Sequence, residues 1–183
     1  MIRKPNIHGG GSKTNLHGLS FEKRTDFLTA LENHRYIKIE NTIGIKKVYY
    51  KKYLLGYYTE KRNFYKYFLI KQGVKWKEVI SKQYLPDAVF INETNKTIYI
   101  IEKKYQAGSG SVDEKLQTCD FKKKIYTKLI NKCKSPYKSE YYYLLSDWYK
   151  RPEYDDVKNY IHSVNCKYFI NRIDLSELGI KTL

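Results

Sequence analysis

The chain has 183 residues, enough for one domain with a buried core. Its hydrophobic share of 42% is ordinary for a globular protein and argues against wholesale disorder. The 35 Lys and Arg residues outnumber the 19 Asp and Glu residues, and the resulting net charge of +16 indicates a polyanionic partner. A merely soluble basic surface, reflecting a composition rich in Lys, Tyr, Ile and Asn, is the alternative.

Composition also excludes several protein classes. No apolar run approaches the roughly 20 residues of a membrane-spanning helix. Residues 1–12 are basic and Gly-rich and lack the apolar segment of a secretory signal, so we expect a cytoplasmic protein. The three cysteines form no CxxC pair, and the four histidines show no ligand spacing. We therefore interpret the cysteines as small buried residues.

The N-terminal third predicts an arm followed by the start of a domain. Residues 1–18 form a flexible, basic, Gly-rich arm in this interpretation, and residues 19–183 form a single domain. Ser20 can cap a helix that runs to about His34, with Phe21, Leu28 and Leu31 on one side. Residues 36–50 have strand character and can form a hairpin, whereas 63–72 and 75–82 are candidate short helices.

The clearest element is a hairpin around the polar turn NETNK. Residues 87–91 and 97–101 are both rich in β-formers. If Thr94 and Asn95 form a two-residue turn, Asp87 lies opposite Glu102, and opposed side chains are about 5 Å apart. A slip of one residue would send Asp87 to the other face.

The remaining elements alternate helix and strand. Ser111 and Glu114 form a capping box for a helix over about residues 112–132. Residues 141–145 predict a buried strand, 154–163 a helix, and 166–173 a last strand. The element order predicts a mixed α/β domain.

Charged side chains end the second strand of this hairpin. Alternation places Ile98, Ile100, Glu102 and Lys104 on one face, so a buried strand projects a carboxylate and an ammonium at its end. Two close carboxylates repel each other unless a cation lies between them, and Mg²⁺ is the hard cation that pairs oxygen ligands with phosphate. An exposed, charged strand end is the plainer interpretation.

The spacing of these residues resembles a known nuclease motif. Pro86-Asp87, fourteen intervening residues, and Glu102-Lys103-Lys104 resemble the PD-(D/E)XK nuclease superfamily, which places this motif on such a hairpin followed by a helix. More of the chain, roughly residues 60–170, resembles one branch of type II restriction endonucleases. The segments are LPD (85–87), IIEKK (100–104) with Gln106, GSVDEKLQT (110–118), CDFKK (119–123), LSDW (145–148) and, upstream, GLSFE (18–22).

The resemblance implies a fold, an activity and partners. It implies an α/β fold with a restriction-endonuclease-like mixed sheet flanked by helices. The implied activity is Mg²⁺-dependent cleavage of double-stranded DNA at a short specific site by a homodimer, with a companion DNA methyltransferase. Asp87 and Glu102 would ligate Mg²⁺, with the Lys103 carbonyl as a further ligand. Lys104 would orient or activate the attacking water and stabilise charge on the phosphorus.

Five further residues are weaker candidates. Gln117 either points at the metal site or belongs to a solvated helix face, and Glu22 either supplies an acidic group from the first helix or is ordinary surface. For DNA binding we expect contributions from Lys13 and Asn15 in the arm. Lys123 either faces a groove near the site or lays its stem along apolar surface.

Three other functions are also consistent with the sequence. A repair, recombination or transposition nuclease would share the catalytic core but cut by DNA structure. A basic DNA-binding module could have the fold without the activity. An RNA-binding protein is what charge alone suggests, but it leaves the arrangement of Asp87, Glu102 and Lys104 unexplained.

Overall fold

Seven strands form one mixed sheet, in the order in which they occur along the chain. The computed structural model describes Phe21, residues 27–106 and residues 113–180. Neighbouring strands are antiparallel from β1 to β5 and parallel from β5 to β7. The strands are β1 (Ile37–Thr42), β2 (Ile45–Tyr50), β3 (Tyr53–Thr59), β4 (Ala88–Asn92), β5 (Thr97–Lys104), β6 (Lys138–Leu145) and β7 (Lys167–Ile170).

Helices flank this sheet, as predicted from the sequence. The α-helices are α1 (Phe27–Glu32), α2 (Lys61–Asn63), α3 (Asp113–Leu116), α4 (Cys119–Ile130) and α5 (Asp155–Ser163). A π-helix, Phe64–Leu69, continues α2 directly. Short 3₁₀ turns are Trp76–Glu78, Asp147–Lys150, Pro152–Tyr154 and Leu175–Leu178. In the part of the chain that the structure describes, no helix has the length and apolar character needed to span a bilayer.

Each face of the sheet has its own hydrophobic core. One core packs Val89, Ile100 and Tyr143 against the π-helix, α4 and α5. The other packs Phe90 and Ile101 against α1 and the C-terminal 3₁₀ turn. The central strands β4 and β5 are buried on both faces, which explains their nearly continuous apolar sequence.

The central hairpin has the predicted register but a longer turn. Val89 pairs with Ile100 and Ile91 with Ile98, as expected. The ladder ends at the pair Asn92–Thr97, so the connection has four residues, not two. The Asn92 Oδ1 atom accepts hydrogen bonds from the amides of Thr94 (2.8 Å) and Asn95 (3.2 Å), which closes the wider turn without changing the pairing.

The predicted long helix over residues 112–132 is wrong in one respect, because the chain breaks between α3 and α4. The Lys115 carbonyl accepts from the Thr118 amide (3.3 Å) and from the Thr118 hydroxyl (2.7 Å). The Tyr143 hydroxyl donates to the same carbonyl at 3.0 Å. These contacts tighten the chain into a turn at Gln117 and Thr118.

The sequence does not predict strand β3, whereas it correctly predicts which side of the first helix is apolar. Gly56 lies in the middle of β3, and a Cβ atom there would lie 1.8 Å from the Ile91 carbonyl oxygen. Only glycine therefore allows this close approach of β3 to β4. Leu28 and Leu31 of α1 are buried, as predicted. The predicted arm, residues 1–18, lies outside the described residues.

Candidate active site

Asp87 lies directly before β4, at the open end of the central hairpin. Its Oδ2 atom accepts a hydrogen bond of 2.8 Å from the Lys103 backbone amide on β5. Ala88 pairs with Ile101, so the continued register places Asp87 opposite Glu102. The hydrogen bond therefore holds one carboxylate beside the strand that carries the other.

Glu102 is a nearly buried carboxylate between two lysines. The residue is 4% exposed. Its Oε2 atom lies 3.0 Å from the Lys104 ammonium and 3.1 Å from the Lys122 ammonium. Lys104 comes from the same strand, whereas Lys122 comes from α4. Burial of a carboxylate is costly without a partner, and these two cations offset that cost.

The Lys104 ammonium lies where three oxygen donors converge. It donates to the Lys103 carbonyl at 3.2 Å and lies 3.9 Å from Asp87 Oδ2, in addition to its contact with Glu102. Two carboxylates and a carbonyl are hard oxygen donors, the set that Mg²⁺ and similar divalent ions prefer. Among the described residues, no cluster of three or more His, Cys, Asp or Glu is placed to hold a metal. The carboxylates of Asp87 and Glu102 and the Lys103 carbonyl fit a divalent ion, which would take its remaining ligands from water or substrate.

Two buried tyrosines position the segment that leads into Asp87. The hydroxyls of Tyr65 and Tyr126 both donate to the Tyr84 carbonyl, at 2.8 and 2.9 Å. The Tyr84 amide donates in turn to the Tyr65 hydroxyl at 3.1 Å. The π-helix and α4 therefore fix the chain three residues before Asp87 from two sides.

Burial keeps the tyrosines around the site protonated. It raises the pKa of Tyr65 to about 12. Burial, followed by the negative charge of Glu102, raises the pKa of Tyr126 and of Tyr141 far above the ordinary value. These hydroxyls therefore remain protonated near neutral pH, and those of Tyr65 and Tyr126 serve as hydrogen-bond donors.

A family model described as a PD-(D/E)XK nuclease superfamily domain matches residues 25–139, a span that includes both carboxylates and both lysines. The chain belongs to the PD-(D/E)XK nuclease superfamily. Membership implies a nuclease with DNA as substrate, and nucleases of this superfamily typically use divalent metal ions. Comparisons with curated proteins and with solved structures find no match.

Two of the five weaker candidates lie in the described part of the nuclease domain. Gln117 lies exposed in the turn between α3 and α4, where it borders a groove with Glu153 and Asp156. Lys123 donates from its ammonium to the Asn165 carbonyl before β7. Three further candidates lie outside the described residues, namely Lys13, Asn15 and Glu22. The roles proposed for all five stay predictions.

Lys122 is the site residue that the sequence did not single out. It lies beside Lys123 in a run of three lysines, and only the phase of α4 decides which one turns toward the sheet. The sequence therefore indicated the run of three lysines but not which of them reaches the site.

A second basic feature lies at one end of strands β1 to β3. Lys51 lies over the rings of Tyr36 and Tyr50, and Lys52 lies over Tyr53, at 5.3 to 5.6 Å from the ring centroids. Within the described residues, Arg35, Lys51 and Lys52 have no carboxylate partner. We name this the basic tyrosine surface, defined by Arg35, Tyr36, Tyr50, Lys51, Lys52 and Tyr53. Unpaired cations beside tyrosines suit contact with a nucleic-acid backbone.

Proposed function

We propose that this nuclease is a Mg²⁺-dependent type II restriction endonuclease that hydrolyses duplex DNA at a short specific site. The observation that carries the proposal is the convergence of Asp87, Glu102 and the Lys103 carbonyl on the Lys104 ammonium. The segments that resemble type II restriction endonucleases, over roughly residues 60–170, support the choice of branch. The net charge of +16 supports a polyanionic substrate.

Each residue has a distinct role in this proposal. Asp87, Glu102 and the Lys103 carbonyl hold the divalent ion. When bound, the ion supplies charge stabilisation at the phosphate and a lowered pKa for a bound water. Lys104 gives up its contacts with these donors and turns toward the attacking water and the phosphate. Its ammonium then orients the water and stabilises negative charge on the phosphate oxygens.

The proposal extends to assembly and partners. A two-fold homodimer would present two copies of the site to the two DNA strands, which suits a palindromic target. A companion methyltransferase would protect the host's own copies of that target. The basic tyrosine surface would contribute phosphate contacts that position the duplex without reading its sequence.

The decisive experiment is a cleavage assay on unmethylated phage DNA. Purified wild type is titrated in tenfold steps with Mg²⁺ or with EDTA, beside Asp87→Ala and a surface control, Lys124→Ala. Discrete fragments from wild type and Lys124→Ala, absent with EDTA and with Asp87→Ala, are expected. A smear of fragments would contradict the proposed restriction activity and would favour a repair or recombination nuclease. Bound but uncut DNA with every divalent ion would favour a binding module.

A further inference from the structure

Helix α4 brings a lysine to the nuclease site from outside the hairpin. The Lys122 ammonium lies 3.1 Å from Glu102 Oε2, and its side chain is 24% exposed. The two lysines that follow it have other partners. Lys123 contacts the Asn165 carbonyl, and Lys124 contacts Asp120 at 2.7 Å on the helix surface. One member of the run is therefore part of the site.

The two lysines on Glu102 differ in what else they contact. Lys104 also contacts Asp87 and the Lys103 carbonyl, so it lies within the proposed metal ligands. Among the described residues, Glu102 is the one carboxylate within ion-pair distance of Lys122. An ammonium has three N–H donors, and the partial exposure of Lys122 leaves donors free to reach a ligand. Lys122 can thus keep Glu102 while binding a second group.

We propose that Lys122 is a second catalytic lysine, which stays against Glu102 and donates to a non-bridging oxygen of the scissile phosphate. The proposal rests on the nuclease function proposed above. It assigns to α4 a direct part in stabilising the transition state. Lys104 orients the attacking water and stabilises charge on the phosphate, and Lys122 adds a contact to a non-bridging phosphate oxygen.

The charges of the site support a second lysine. In the reaction the oxygen of water forms a bond to phosphorus, and the bond from phosphorus to the leaving sugar oxygen breaks. One proton leaves the attacking water for bulk solvent, and solvent supplies one to the leaving oxygen. The phosphodiester and the attacking hydroxide together carry two negative charges. The charges of two carboxylates and two lysines cancel, so the two positive charges of a bound divalent ion would balance those of the phosphodiester and the hydroxide. Without Lys122 the site falls one positive charge short.

The test compares Lys122→Ala and Lys122→Arg with the matched control Lys124→Ala. Single-turnover cleavage at saturating Mg²⁺ is expected to slow about 100-fold in Lys122→Ala. Lys122→Arg keeps the charge and is expected to recover at least about 10-fold of that loss. Lys124→Ala should cleave within about 2-fold of wild type, as expected for an exposed pair.

A second readout does not depend on cleavage. Calorimetric titration with Mn²⁺, without DNA, is expected to show binding that is tighter by on the order of 5-fold in Lys122→Ala. The substitution removes a positive charge beside Glu102 that repels the Mn²⁺ ion. Lys124→Ala should leave this affinity unchanged. Thermal unfolding checks that each variant folds. If Lys122→Ala does not fold, Lys122→Met, which keeps the aliphatic stem, replaces it in both assays.

The outcomes separate this inference from the nuclease proposal. If Lys122→Ala cleaves at the wild-type rate while Lys104→Ala is inactive, the role of Lys122 is overturned and the nuclease proposal stands. Unchanged Mn²⁺ affinity in Lys122→Ala would overturn its place beside the metal ligands. An inactive wild type with every divalent ion would instead overturn the proposed function, and the inference with it.

Discussion

The Asp87 carboxylate accepts a hydrogen bond of 2.8 Å from the Lys103 backbone amide. This hydrogen bond ties the residue before β4 to the end of β5, beyond the last paired residues of β4. Asp87 is therefore held by backbone, whereas Glu102 is held by two lysine side chains. The two proposed metal ligands should respond differently to loss of charge.

Neutral substitutions at these two positions test that difference. Asp87→Asn keeps a carbonyl oxygen that can accept from the Lys103 amide, so the melting temperature should change little. Glu102→Gln removes the carboxylate between two ammoniums and should cost about 2 kcal/mol in unfolding free energy, since both lysines can still reach solvent. Both variants should lose cleavage. Urea unfolding and fragment assays measure the two effects. Equal destabilisation by both variants would contradict the structural assignment.

Lys104→Ala should abolish cleavage while the protein still folds and binds DNA. Removal of the ammonium takes a positive charge from among the oxygen donors, so Mn²⁺ should bind more tightly than to wild type. Gel-shift assays in Ca²⁺, calorimetry and fragment assays give the three readouts. Lys128→Ala, an exposed residue of α4, is the matched control and should cut normally. Normal cutting by Lys104→Ala would disprove the proposed catalytic role.

The opposition of Asp87 and Glu102 could be predicted from the sequence because two β-rich runs flank a short polar turn, and the register follows once that turn is centred on Thr94 and Asn95. A slip of one residue would have sent Asp87 to the other face of the sheet. The turn itself could not be predicted, because it depends on the Asn92 side chain accepting from Thr94 and Asn95. The predicted register is nevertheless correct, because the turn gains one residue on each side, Glu93 and Lys96.

The break before α4 could not be predicted, because one of the contacts that hold it comes from a distant part of the chain. Tyr143 on β6 reaches the Lys115 carbonyl, and that hydrogen bond exists only once the sheet has formed. Helix α4 begins after this break and brings the Lys122 ammonium to Glu102. Local sequence patterns record neither interaction. The missed β3 has a similar cause, because Gly56 serves a close approach to Ile91.

The basic tyrosine surface should contribute phosphate contacts. The triple variant Arg35→Ala, Lys51→Ala, Lys52→Ala should bind duplex DNA more weakly, with similar losses for unrelated sequences. The plot of log affinity against log salt should become shallower by up to about 0.9 for each phosphate that the variant no longer neutralises. Fluorescence anisotropy at several salt concentrations measures both. The control removes three paired lysines elsewhere, Lys75, Lys150 and Lys158. An equal change of slope in the control would refute a localised surface.

Alkaline pH should destabilise the domain through its buried tyrosines. The pKa of Tyr65 is raised from 10.0 to about 12. Below about pH 10 the folded and unfolded states are both protonated, so this stabilisation is fully present. Between about pH 10 and 12 the unfolded state loses the proton first, and stability falls by up to about 1.4 kcal/mol per pH unit for each such tyrosine. Urea unfolding at stepped pH should show a shallower fall in Tyr65→Phe. An identical fall in wild type and variant would exclude Tyr65 as a contributor.

The tyrosine hydrogen bonds to Tyr84 should matter for activity more than for stability. Tyr126→Phe removes one of two hydroxyls on the Tyr84 carbonyl and should cost about 1 kcal/mol in unfolding free energy. Because the carbonyl lies three residues before Asp87, the looser segment should also lower the cleavage rate about 10-fold. Tyr142→Phe is the matched control, since its hydroxyl also donates to a backbone carbonyl, that of Glu177, at 3.1 Å.

Tyr142 packs in the core on the opposite face of the sheet from the site. The control should therefore lose similar stability and keep its cleavage rate. The double variant of Tyr65 and Tyr126 to Phe should lose more activity than either single variant, because no hydroxyl then holds the carbonyl. Urea unfolding and single-turnover cleavage separate the two effects. Parallel losses of activity and stability in Tyr126→Phe and Tyr142→Phe would show that the hydroxyls act only through global stability and do not position Asp87.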